Sequence, residues 1–109
     1  MKKIHPAHSN KDRIVFVSEH NVHRYFYQPA GSSKKHWLMD TPASISVYHY
    51  FRDHGRHIRD ESYSMTMGEL HRFDAYYNFK LCKLMERLPA QINYVLQELA
   101  EKADADDVA

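Results

Sequence analysis

Cysteine is nearly absent from this chain: among its 109 residues only Cys82 carries a thiol. One thiol closes no intrachain disulfide. That excludes the stapled secreted scaffolds and favours a reducing compartment, expected to be the cytoplasm. Glycine is scarce at three residues and proline at four, so collagen-like and low-complexity compositions are excluded. No apolar run approaches the ~18–20 residues a membrane span requires, and no membrane partner is expected. The start, Met1-Lys2-Lys3-Ile4-His5-Pro6, is basic, but no apolar stretch follows it, so it does not read as a secretory signal. Signatures of a phosphate loop, a zinc site or a nucleophile elbow are also missing, and no cofactor is expected.

What is present is an ordinary globular balance, 43% hydrophobic and 27% charged, unusually rich in rings: eight Tyr, five Phe, one Trp and nine His. The length suits one domain. Residues 13–103 read as that domain, 1–12 as a polar frayed arm and 104–109 as an acidic tail. The formal net charge of +1 conceals a division. Residues 1–60 hold ten Lys or Arg against five acids, and residues 61–109 hold five against nine. Eight of the nine His lie in the basic part. Such asymmetry bears on partners rather than on fold. A polyanion is the natural partner of the basic part, and a plain solvated face is the bland alternative.

Hydrophobic patterning predicts an α+β fold. Arg13–Ser18 and Val22–Gln28 are rich in β-branched and aromatic residues and read as a hairpin closed by Glu19-His20-Asn21. Pro29–Ser33 is a loop, and Lys34–Met39 a short third strand. Asp40-Thr41-Pro42 reads as a helix start, with Thr41 capping and Pro42 in the first turn. Over residues 42–54 helix and strand compete, with helix slightly favoured and Gly55 as its stop. Residues 53–63 have only Ile58 as an aliphatic anchor. Thr66-Met67-Gly68-Glu69 has the capping-box pattern. Leu70, Phe73, Tyr77, Leu81, Leu84 and Leu88 then form one helical stripe, and Ile92, Val95, Leu96 and Leu99 form a second after Pro89, which is expected to interrupt or kink the run. The expectation is therefore a small antiparallel sheet, a short helix and two amphipathic C-terminal helices. Those helices pack on the sheet, with their apolar width read as core; the alternative is that part of it pairs with a second copy of the chain as a homodimer.

Chemistry-bearing clusters are few. His54, His57 and Glu61 would share a face if one helix ran through them, and imidazole with carboxylate suits zinc. Gly55 argues against that helix, so no metal site is assigned. His49, in an aromatic run, reads as a core or boundary histidine. Cys82 has no His at helical spacing and reads as a packed thiol rather than a nucleophile. Arg24-Tyr25-Phe26-Tyr27 and Tyr48-His49-Tyr50-Phe51-Arg52 interleave cations with rings. Cations release counterions from phosphates, and exposed rings stack on bases. The reading is a small non-catalytic module that contacts nucleic acid, with Arg24, Lys34, Lys35, Arg52, Arg56 and Arg59 as phosphate contacts. The rivals are a protein-interaction module and a metal-independent ribonuclease built from His, Arg, Lys and Tyr.

Overall fold

A computed structural model describes residues 11–43, 45–76 and 82–108. Its class is α+β. The elements run β1 (Arg13–Glu19), β2 (Val22–Gln28), β3 (His36–Pro42), α1 (Ile45–His54), β4 (Arg56–Arg59), β5 (Ser62–Met65), α2 (Met67–Tyr76) and α3 (Cys82–Val108). The strands form one antiparallel sheet in the order β3-β2-β1-β5-β4.

The β1–β2 hairpin forms as its residues predict. His20 and Asn21 both take positive φ, 52° and 64°, the paired left-handed geometry that matches a two-residue turn to the twist of its strands. Asp12 is tied in: it accepts hydrogen bonds from Tyr27 Oη at 2.5 Å and from the Ala30 amide at 2.7 Å. The first ten residues of the expected arm lie outside the described residues.

Side chains on successive strand residues alternate between the two faces of a sheet. One face is the core. The row Met39, Tyr25, Phe16, Tyr63 lies across four paired strands, and all four residues are buried. Phe51 of α1 stacks on Phe16 with centroids 4.5 Å apart and planes 9° from parallel. Leu70 of α2 and Leu84, Leu88 and Val95 of α3 belong to the same apolar cluster. Aromatic pairs and full burial of this kind supply most of a small domain's stability. Burial pushes the Tyr25 phenol up to about 12.

Four boundaries differ from expectation. Asp40, Thr41 and Pro42 end strand β3 instead of opening a helix, because β2 offers them a pairing partner (Arg24 opposite Asp40, His23 opposite Thr41). The helix over 45–54 is present. The polar stretch that follows folds as the β4–β5 hairpin. Pro89 lies inside α3. Proline deletes one helical hydrogen bond, but Leu84, Met85 and Leu88 before it and Val95 after it are buried, so packing on both sides carries the helix through. That helix continues to Val108, through most of the segment read as a tail. The capping box forms as expected: the Glu69 amide donates to Thr66 Oγ1 at 3.0 Å, and the Thr66 amide donates to Glu69 Oε1 at 2.8 Å. Tyr77 and Leu81 of the first stripe lie outside the described residues, as does the side chain of Cys82. Among the described residues no helix is long and apolar enough to cross a membrane.

Candidate nucleic-acid interface

Apolar residues of the three helices share the cluster on one face of the sheet. Strand register defines what the other face carries. One row reads Trp37, Phe26, Val15, Ser64, Arg56 from β3 to β4, and the next reads Asp40, Arg24, Val17, Ser62, Arg59. The two rows are two residues, about 7 Å, apart on β2, β1 and β5, and three residues apart on β3 and β4, where the register shifts. Trp37 is 58% exposed, and Phe26 beside it is half-buried. Two rings and three arginines thus share neighbouring rows of one surface.

The positions of these side chains are fixed by local contacts. Trp37 Nε1 donates to Asp40 Oδ1 at 2.8 Å, which anchors the exposed indole to its own strand. Arg24 lies 3.8 Å from both Glu19 and Asp40, held between two carboxylates. Arg13, on the same face, donates from Nε to Ser64 Oγ at 2.8 Å and from Nη2 to the Ser64 carbonyl at 3.1 Å. Its guanidinium lies 3.6 Å from Glu69. Burial, only partly opposed by Glu69, lowers the Arg13 pKa from its usual value, and the nearby Arg56 charge lowers it further. Among the described residues Lys35, Arg56 and Arg59 are in no ion pair, so their charge is available to a ligand.

The loop between β2 and β3 presents the lysines. The Ser32 amide donates to the Pro29 carbonyl at 3.2 Å, and Gly31 takes φ +76° at the third position of that turn, where a type II turn requires it. Gln28 Nε2 donates to the Ser32 carbonyl, and the Lys34 amide donates to Ser32 Oγ. Lys35 then reaches over the Phe26 ring, its Nζ 5.3 Å from the centroid. This is a cation–π contact that holds the ammonium on the outer face.

Of the six expected contacts, Arg24, Lys35, Arg56 and Arg59 come together on this face, and Lys34 sits exposed in the adjoining loop. Arg52 stands apart. It lies on α1, on the helix side, with Nε 2.9 Å from Asp53 and its guanidinium over Tyr48. Tyr25 and Tyr27, counted among the interleaved rings, are core residues, as are Tyr50 and Phe51. Trp37 and Arg13 are the additions. Period-two alternation with Val15 was the signal for Arg13; alternation would have put Trp37 on the face of Met39, and only the register shift between β2 and β3 sends it outward.

The strand histidines His23, His36 and His57 fall in core-side rows by register, so the outer rows carry no imidazole. His49 is exposed on α1 instead of packed, since the helical turn that buries Tyr50 and Phe51 points it outward. His54, His57 and Glu61 do not share a helix. His54 stacks on Phe73 at 4.2 Å at the end of α1. His57 lies on β4 with Nε2 2.9 Å from the Asp60 carbonyl. Glu61 hydrogen-bonds Tyr48, which with Tyr63 drives the Tyr48 phenol pKa upward. Among the described residues no group of three or more metal-ligating side chains comes together. No protein family, curated protein sequence or solved structure matches the chain.

Proposed function

We propose that this chain is a non-catalytic, cytoplasmic module that binds single-stranded nucleic acid on the outer face of its sheet. The observation that carries the reading is the pairing of Phe26 with Trp37 in one row, with Lys35 beside it and Arg56 and Arg59 at the far β4 edge of the same face, across the buried Val15 and Ser64. Exposed rings stack on bases only when the bases are not already stacked in a duplex, and the flanking cations neutralise the backbone. Arg24 is engaged by two carboxylates, so its part is to position Asp40 and Trp37 more than to hold phosphate.

Trp37 is the only tryptophan in the chain, so its fluorescence reports directly on the platform. Titration with a single-stranded octanucleotide should quench it. With Lys35, Arg56 and Arg59 as the phosphate contacts, log K should fall with log salt with a slope of about −2. Trp37→Ala should weaken binding about tenfold, in line with the loss of one stacked base. Absence of quenching at low salt would overturn the reading. Equally tight binding of polyglutamate would transfer it to an acidic protein partner.

A second reading, self-association through α3, is favoured by Leu96 and Tyr94, which are exposed on the helix that carries the second apolar stripe. Sedimentation equilibrium tests it: twice the chain mass supports a homodimer, and a strict monomer at high concentration removes it.

A further inference from the structure

Helix α3 buries one side against the core through Leu84, Met85, Leu88 and Val95. Its outward side follows a second stripe at steps of three or four residues: Lys83, Arg87, Ala90, Tyr94, Glu98 and Glu101. Helical geometry puts all six on one face, and all six are exposed. Tyr94, at the centre, is 63% exposed, more than any other large apolar side chain among the described residues.

Charge along this stripe is ordered. Both cations precede Tyr94, and both acids follow it. The order does not help the helix that carries it. Lys83 and Arg87 are like charges four residues apart, and Glu98 and Glu101 are like charges three apart; such pairs repel on one helix. The ends are also reversed. α3 has no acid in its first turn and no base in its last, while Lys83 stands at its start and Asp104, Asp106 and Asp107 at its end. The helix dipole favours the opposite arrangement. Among the described residues none of Lys83, Arg87, Glu98 and Glu101 is in an ion pair. Two repelling pairs and a reversed dipole pattern are thus uncompensated within the chain.

We propose that this face binds the same face of a second copy of the chain, with the two α3 helices antiparallel and Tyr94 on the two-fold axis. The proposal rests on the self-association reading above and commits it to one seam. Tyr94 and Leu96 are two residues, about 200°, apart around the helix, so one helix pair cannot centre on both. Charge order selects the Tyr94 side, because the stripe complements itself only when reversed. In an antiparallel pair centred on Tyr94, Arg87 lies level with the partner's Glu101, and the partner's Glu98 is within one turn. Two-fold symmetry makes each contact twice. Ala90, one turn before Tyr94, leaves room for the opposing ring, and the stems of Lys83 and Arg87 cover it. Each acidic helix end then lies beside the partner's basic start, and the two dipoles oppose. A parallel pair would set cation against cation and acid against acid, which is costly across an interface.

The test is sedimentation equilibrium of the full chain, with circular dichroism checking the fold of each variant. The wild-type dimer should weaken as salt rises. Glu101→Arg and Arg87→Glu should each weaken it at least about tenfold, because each reversal sets like charges together twice. The double variant Arg87→Glu, Glu101→Arg restores opposite charges across the seam and should dimerise more tightly than either single variant. Tyr94→Ala should weaken the dimer, while Leu96→Gln should leave it within about twofold. Arg87 acts on the Tyr25 phenol; if its variants disturb the fold, Glu101→Arg and Tyr94→Ala decide alone. A dimer that tolerates Glu101→Arg, a folded double variant no tighter than the singles, or a dimer lost in Leu96→Gln and kept in Tyr94→Ala overturns the antiparallel Tyr94 seam while self-association stands. A strict monomer at high concentration overturns both.

Discussion

His23 is among the most enclosed side chains in the protein, at 2% exposure, with its ring edge-on to Phe16 at 4.8 Å. Burial disfavours the imidazolium and lowers the His23 pKa below its usual 6.5. The sign of the linkage follows. The unfolded chain takes up this proton near pH 6.5 and the folded chain only at lower pH, so the stability from a neutral His23 is complete above 6.5. It is lost as pH falls from 6.5 towards the folded value. Thermal unfolding between pH 8 and 5 should show a decline on the acid side. His23→Phe, which keeps the ring against Phe16, should make that decline shallower by at most one proton. An unchanged slope in the variant would assign the acid sensitivity to other groups. No sequence pattern marked this residue as buried, because a histidine in a strand reads equally well on either face until the register is known.

At the level of elements, the sequence was most readable where a local rule was sufficient. The hairpin turn at His20-Asn21 and the Thr66–Glu69 capping box are decided by a few neighbouring residues, and both form as their chemistry predicts. The β4–β5 hairpin was not legible, because Arg56–Arg59 has no apolar alternation. All four residues are exposed, and the strand exists because β5 is already paired to β1 and offers it a second edge. Charged residues on so short an edge strand also discourage pairing with other chains. Gly55 joins α1 to this hairpin for a reason its reading as a helix stop did not contain. A Cβ there would meet the Phe51 carbonyl oxygen at 2.6 Å and the Ser64 carbonyl oxygen at 3.0 Å. Both are backbone atoms that cannot rotate aside. Gly55→Ala should therefore cost about 1–3 kcal/mol as helix and hairpin are pushed apart. Chemical denaturation would measure it, and a change within about 0.5 kcal/mol, the range of a surface substitution, would show that the junction yields easily.

For the whole molecule, the division of charge along the chain becomes a division across the sheet only in part. Arg13, Arg24, Lys35, Arg56 and Arg59 from the basic part gather on the outer face, while Arg52 goes to the helix side with α1. That difference was not legible, because it depends on which face α1 covers. The histidines divide more sharply. Eight of nine lie in the basic part, yet their charge reaches a ligand only from the face on which each one lies. Register puts His23, His36 and His57 in core-side rows, and α1 carries His49 and His54. At about 0.15 M salt, charges more than roughly 8 Å away are largely screened, so imidazoles across the sheet act weakly on a strand lying on the outer rows. His20, exposed in the β1–β2 turn, is the described histidine closest in sequence to that face's Glu19. The double variant His36→Gln, His57→Gln should therefore leave single-strand affinity at fixed pH unchanged within about twofold. Loss of binding in the double variant would place the ligand on the helix side, beside Arg52 and Tyr48, and would move the binding face with it.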